Sequence, residues 1–218
     1  MKKKILFVIH DLGQGGAEKV LVNLVNNMDT EKFSISVLSI FGGGVNEQFL
    51  AEHINYRYIF KKSFAGNSVV MKLFSPKLLY KMFINGEYDV IISYLEGPTA
   101  RIVSGCNNKN TKLVSWIHCE QHTAKAASKP FRSFVEAQKC YRKFDKTICV
   151  SQFVKQDFSN IFDLDCEADV LYNTVESDKI LSQSKEKSDI KLRCDRIKLI
   201  GVGTLKQTKG FSRMIRNQ

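Results

Sequence analysis

Short apolar runs alternate along this chain with longer stretches in which apolar residues recur every three or four positions. The runs cover residues 4–10, 33–41, 56–60, 90–94, 112–117, 146–150 and 168–172. Several are apolar without interruption, as in Ile5-Leu6-Phe7-Val8-Ile9 and Val90-Ile91-Ile92. Strands covered by helices on both faces read this way. Between the runs, residues 17–28 place Val20, Leu21, Leu24, Val25 and Met28 on one helical face. Ser75-Pro76 supplies an N-cap and a first-turn proline for a helix to about Ile84. Residues 130–144 gather Phe131, Phe134, Val135, Tyr141 and Phe144 on one side, and Ser151 caps a helix to about Asn160. This alternation predicts parallel β-α-β units with right-handed crossovers, an α/β Rossmann-like doubly wound sheet.

The pattern breaks after Asn173. Residues 176–196 are polar and charge-rich and read as a short helix plus linker. A further strand over 197–203 and a helix starting near Gly210 follow. A lone strand and helix cannot bury their apolar faces, so 1–175 reads as one complete domain and 197–218 as the opening of a truncated second one.

Composition adds limits. Hydrophobic residues at 44% and charged residues at 25% are an ordinary globular balance, enough for a real core. No run of about 18 apolar residues spans a bilayer. The basic start, Met1 to Lys4, runs into a short apolar stretch without a small-residue cleavage site, so it reads as a buried strand and a cytoplasmic location is expected. Six cysteines without paired spacing read as free thiols. A net charge of +11 points to nucleic acid, an anionic membrane surface or a phosphorylated substrate, or to a merely solvated basic surface. No DNA- or RNA-binding motif appears, so no nucleic-acid partner is expected.

Four segments carry candidate chemistry. Gly13-Gln14-Gly15-Gly16-Ala17-Glu18 joins the first strand to the first helix. Glycines admit a ligand close to the backbone, and the helix start offers free N–H groups, so a phosphate or sugar hydroxyl fits; a tight structural turn is the alternative. A dinucleotide fingerprint is disfavoured, because Glu18 replaces its third glycine and the second run lacks a terminal acid. His118 directly follows a strand, where open α/β sheets bind ligands. It reads as a ligand contact or a packed histidine. With His122 it could chelate a metal on a helix, but the H-E-x-x-H order is missing, and no metal is expected. Ser151 ends another strand and reads as a cap before it reads as chemistry. Gly201 to Phe211 repeats the glycine-bearing layout with Lys206 and Lys209.

Ile5-Leu6-Phe7-Val8 leading to Gly15-Gly16-Ala17-Glu18, Tyr88 to Ser93, the strand ending at His118, Thr147 to Ser151, Tyr172-Asn173-Thr174-Val175 and Gly201 to Phe211 occur in one order. As an ordered set they resemble the family 4 glycosyltransferases, retaining enzymes of two Rossmann-like domains facing across a cleft (the GT-B fold). The resemblance implies an N-terminal, acceptor-binding half, with Gly15, Gly16, Glu18, Ser151 and Asn173 near donor or acceptor and His118 contacting the transferred sugar. It implies that Lys209 neutralises the diphosphate leaving group, while Thr204 stands where the family usually has arginine and weakens that clamp. Glutamates of the family's donor site would lie past Gln218. The expected activity is transfer from a nucleotide-sugar to a glycan or lipid-linked acceptor in surface polysaccharide synthesis, with no cofactor beyond that co-substrate and no turnover by the 218 residues alone. A sugar-nucleotide epimerase of the same fold and a non-catalytic partner subunit are the alternatives. Arg57, Lys61, Lys62, Lys72, Lys77 and Lys81, interleaved with Phe60, Phe64, Val70, Met71, Leu73 and Phe74, suit a peripheral contact with the inner membrane face, or equally a helix whose apolar side is core.

Overall fold

The computed structural model describes residues 1–163, 168–186, 199–203, 207 and 210–216. They form two compact units, Met1–Val175 and Glu176–Gln218.

In the first unit, β1 (Lys3–Ile9), β2 (Phe33–Phe41), β3 (Asn55–Phe60), β4 (Val90–Tyr94), β5 (Lys112–Ile117), β6 (Lys146–Cys149) and β7 (Ala168–Val170) form one sheet. Its order is β3-β2-β1-β4-β5-β6-β7, and every neighbouring pair is parallel. The chain steps outward from β1 to β3, then returns past β1 to β4. Connections therefore leave β1 and β4 on opposite faces, and the crevice between their carboxyl ends is where such sheets bind ligands. The Rossmann-like fold is as the runs predict, and five-residue β4 and six-residue β5 keep the expected bounds.

Alternate residues of each strand feed two cores. Leu6, Val8, Leu38 and Ile40 pack on one face with Leu79, Ile102, Ala137 and Phe158. Ile5, Phe7, Ile9 and Val37 pack on the other with Leu21, Val22 and Val25. Burial on both faces explains the uninterrupted apolar runs.

The first core face is covered mainly by helices that start on serine or threonine caps or prolines. After α1 (Gly16–Asn26) and the exposed α2 (Asn67–Leu73) comes α3 (Pro76–Phe83), whose Ser75 hydroxyl accepts from the Leu78 N–H at 3.2 Å. Then follow α4 (Pro98–Val103), α5 (Ala124–Ala127), α6 (Phe134–Tyr141) and α7 (Gln152–Ile161). The helix expected over 130–144 is shorter, because the Ser133 hydroxyl accepts from the Glu136 N–H at 3.1 Å and fixes the start at Phe134. Phe131 remains buried ahead of it, but Val135 faces solvent. Short α2, α4 and α5 were not expected.

The second unit contains α8 (Ser177–Gln183) and α9 (Phe211–Arg216), the latter preceded by left-handed Gly210 at φ +71°. The strand expected over 197–203 is not seen in its described part. Residues 199–203 pair with no strand, and Ile200 and Val202 are each 91% exposed. A strand exists only where a partner takes its N–H and C=O groups. Residues 197 and 198 lie outside the described residues. Among the described residues, no helix is long and apolar enough to cross a membrane.

Candidate functional site

The carboxyl edge of the sheet gathers the loops after β1, β2, β4, β5 and β6. The β1 loop enters α1 through Gly15, an N-cap in extended conformation without a side-chain cap. Its shape is imposed from two sides. The Asp11 carboxylate accepts from the Gly13 N–H at 2.8 Å, and the Asn46 side chain donates to the Gly13 carbonyl. The Asn46 N–H donates to the Leu12 carbonyl at 2.9 Å. Backbone lies directly on backbone here: a Cβ on Gly44 would stand 2.2 Å from the Leu12 carbonyl carbon and oxygen. Gly44 is therefore glycine for lack of space, not for an unusual φ.

The two glycines of the turn differ. A Cβ on Gly15 would meet the Glu18 carboxylate at 1.9 Å, so Glu18 folds back over the helix start. A Cβ on Gly16 would meet nothing within 4 Å. With no side chain there, the first-turn N–H groups and the positive end of α1 remain approachable.

His118 lies just beyond β5. Its ring packs on Tyr94 at 4.5 Å between centroids and on Trp116 at 6.2 Å, and Tyr94 and Trp116 lie 5.2 Å apart. Each member of this trio carries a buried polar atom with no hydrogen-bond partner among the described residues: the Tyr94 hydroxyl, Trp116 Nε1 and His118 Nε2. Such groups are uncommon in native interiors, and each calls for a partner beyond the described residues. Burial pushes the His118 pKa down to about 4, so the imidazole is neutral at physiological pH. Burial raises the Tyr94 pKa, and the negative Glu18 adds to that rise. Glu18, at the start of α1, is thus an electrostatic neighbour of the trio. β1 and β5 flank β4, two strand spacings or about 10 Å apart. The glycine turn and His118 share one edge of one sheet.

Two carboxylates fasten the loop after β5, and neither is evident from local sequence. Glu96 accepts from the His118 N–H at 3.0 Å, and burial raises its pKa despite that bond. Asp157, on α7, accepts from the N–H groups of Gln121 at 2.6 Å and His122 at 3.1 Å. Glu96 itself sits in a strained turn. Leu95 before it has φ +93° and Gly97 after it φ +92°. Such a conformation at a non-glycine residue costs about 1–3 kcal/mol and persists where surroundings enforce it. Here the Leu95 carbonyl accepts from the hydroxyls of Ser93 and Thr99 at 3.1 and 2.7 Å. The one sequence signal was an acid followed by Gly-Pro directly after a strand.

The remaining sequence candidates are placed as follows. Residues 118–122 form a loop, not a helix, and His122 turns to Asp157 at 3.6 Å, so the two histidines do not make a helical chelate. Among the described residues, no group of three or more His, Cys, Asp or Glu side chains could hold a metal ion. The Ser151 hydroxyl accepts from the Val154 N–H at 3.2 Å, so it caps α7. Asn173 follows β7 in an exposed segment. Lys206, Lys209 and Thr204 lie outside the described residues.

The chain resembles HepE of Anabaena, solved in complex with UDP and glucose, at 19% identity and a TM-score of 0.55, over 84% of this chain and 50% of that one. It also resembles a putative UDP-N-acetylglucosamine 2-epimerase from Listeria monocytogenes, at 13% identity and a TM-score of 0.51, over 88% of this chain and 50% of that one. At such identities these likenesses show the shared fold, and the chain spans about half the length of either. No curated protein matches. The model of Glycosyltransferase Family 4 matches residues 14–179, from the glycine turn through the sheet to the start of α8. With more than half of its length matched, the chain belongs to Glycosyltransferase Family 4.

Proposed function

We propose that the chain forms the acceptor-side half of a retaining glycosyltransferase that takes its sugar from a nucleotide diphosphate donor. The observation that carries this reading is the trio beside the glycine turn. A neutral His118 with Tyr94 and Trp116 offers uncharged hydrogen-bonding atoms and aromatic faces, a set suited to sugar hydroxyls. The positive end of α1, left open at Gly16, suits the negative charge that grows on a departing diphosphate. The presence of UDP and glucose in the HepE structure makes UDP-hexoses the first donors to try. Glu96 and Asp157 act as positioning residues for the His118 loop.

The test uses labelled nucleotide-sugars, this half paired with a donor-binding half, and membranes from its source cells, with products separated into lipid and glycan fractions. Wild-type protein should add label to one fraction, and His118→Ala should cut that by about 100-fold. Full activity of His118→Ala would overturn the reading. The epimerase likeness motivates a second reading, sugar-nucleotide epimerisation. Conversion of donor to its epimer without acceptor would select it.

The cation-rich segment supports peripheral contact with anionic lipid in the same scheme. From His53 to Gly86 the sequence contains no acid. Lys61, Lys62, Lys77 and Lys81 are exposed beside exposed Phe64, Val69, Val70, Leu73, Leu78 and Met82. Phe60, Met71 and Phe74 instead pack against the core, and Arg57 donates to the Asn85 carbonyl at 3.0 Å. The protein should pellet with phosphatidylglycerol vesicles at low salt and not with phosphatidylcholine vesicles. Equal pelleting with both removes this contact.

A further inference from the structure

Arginine side chains hold main-chain carbonyls on both sides of α3. Before it, Arg101, buried, donates to the Met71 and Phe74 carbonyls at 2.8 and 2.7 Å. Arg132 donates to those of Lys72 and Leu73 at 2.6 and 2.8 Å. The two moor α2, whose seven residues are all unburied and which would not persist by itself. Glu136 balances their charge: it binds the Arg101 guanidinium at 3.0 and 3.1 Å and accepts from the Arg132 N–H at 2.7 Å.

After α3 the arrangement differs. Arg57, on β3, donates to the Asn85 carbonyl at 3.0 Å and to the Tyr88 hydroxyl at 3.2 Å. No carboxylate accepts from it among the described residues, and its Nε is buried without a partner. Its charge therefore bears on the peptide group that joins Asn85 to Gly86. Both residues are exposed in the turn between α3 and β4. Gly86 has φ +98°, and its N–H makes no hydrogen bond among the described residues. Asn85 is the one asparagine of the sequence that precedes a glycine.

That juxtaposition has a chemical consequence. The Gly86 nitrogen can close a ring onto Cγ of Asn85, and glycine, without a Cβ, leaves the approach open. The nitrogen must first give up its proton. A guanidinium on the carbonyl of the same peptide draws electron density to the oxygen and stabilises the anion that results.

We propose that Asn85 is a site of spontaneous covalent modification, deamidation to aspartate and isoaspartate, promoted by Arg57. The Gly86 nitrogen bonds to Asn85 Cγ and the Cγ–Nδ2 bond breaks. Nδ2 leaves as ammonia, taking the proton that Gly86 released. Water then opens the cyclic imide at either carbonyl, so each event consumes one water and releases one ammonia. Opening on one side gives aspartate. Opening on the other gives isoaspartate, which routes the main chain through the side chain and adds one carbon between α3 and β4. Either product sets a carboxylate beside Arg57, in a stretch from His53 to Gly86 that has none. The inference stands whichever sugar chemistry the chain performs.

The test ages the folded 218-residue protein in mildly alkaline buffer and follows its tryptic peptides by mass spectrometry. Peptide 82–101 contains Asn85 and no other asparagine or glutamine, so its mass reports this site alone. It should become heavier by the exchange of an amide for an acid and split into two chromatographic isomers. This should precede any change at Asn107, Asn108 and Asn110, which are equally exposed. Asn85→Gln should keep the peptide unchanged, and Arg57→Gln should slow the reaction several-fold. Urea, which removes the Arg57 contact without a substitution, should slow it relative to the folded protein. A peptide 82–101 that stays unmodified, or that reacts no sooner than Asn107 to Asn110, would overturn the site. Equal rates in the folded protein, in Arg57→Gln and in urea would overturn the part given to Arg57.

Discussion

Gly44 and Gly16 sit on the same edge of the sheet, yet alanine should act on them in opposite ways. At Gly44 the added carbon would stand 2.2 Å from the Leu12 carbonyl carbon and oxygen and 2.8 Å from the Gly13 nitrogen. Relaxed carbon contacts begin near 3.5 Å, so one backbone segment must retreat by about 1 Å. No side-chain rotation relieves a clash between main chains. Overpacking of this kind costs about 1–3 kcal/mol, and the retreat also stretches the Asn46–Leu12 hydrogen bond, worth about 1 kcal/mol. Together Gly44→Ala should cost about 2–4 kcal/mol and lower Tm by roughly 5–15 °C for a unit of this size. At Gly16 the added carbon meets nothing within 4 Å, and its φ is ordinary. Gly16→Ala should leave Tm within about 2 °C of wild type, because substitutions that touch nothing stay within about 0.5 kcal/mol. It should still depress sugar transfer, since the carbon occupies the approach to the helix start. Thermal unfolding followed by circular dichroism, with the transfer assay beside it, separates the two. Equal melting of Gly44→Ala and wild type would refute the close-approach argument. Wild-type transfer by Gly16→Ala would refute the assignment of the open space to a ligand.

Three further outcomes are expected. His118 has a pKa depressed to about 4, so its neutral form favours the fold above the unfolded value near 6.5, and roughly 3 kcal/mol is lost as pH falls from 6.5 toward 4. An NMR titration of its ring should show a midpoint near 4, and a midpoint above 6 would contradict the burial argument. Glu136→Ala leaves the buried Arg101 charge uncompensated and should cost about 3–5 kcal/mol, read as a lower Tm and as faster amide exchange in α2. Wild-type exchange in α2 would show that the arginines do not hold it. Ser151→Ala removes the hydroxyl that caps α7 and should cost about 1 kcal/mol in denaturant unfolding, with no change in slope.

The strands were legible because a doubly covered parallel sheet writes each strand as a short, β-branched apolar run, as at Ile5–Ile9 and Val90–Ile92. The serine caps at 75 and 151 were legible because capping is local chemistry. The short helices were not. α2 offers no buried stripe, and α4 buries Arg101, which reads as a surface residue until Glu136 and the α2 carbonyls surround it. In the site, the glycine turn and His118 stand out because each follows a strand directly. Their supports do not, since Glu96, Asp157 and Asn46 act across 22, 36 and 33 residues of sequence. Only the pairing of β4 with β5, of β5 with β6, and of the β1 loop with the β2 loop brings such partners together.

The attachment of α2 has an evolutionary corollary. Arg101 and Arg132 grip main-chain carbonyls, which are the same whatever side chains the helix displays. Residues 67–73 can therefore be rewritten, reshaping both the wall of the cavity beneath the helix and its outward apolar face, while the mooring stays intact. Divergence can proceed at that segment with little penalty to the rest of the molecule.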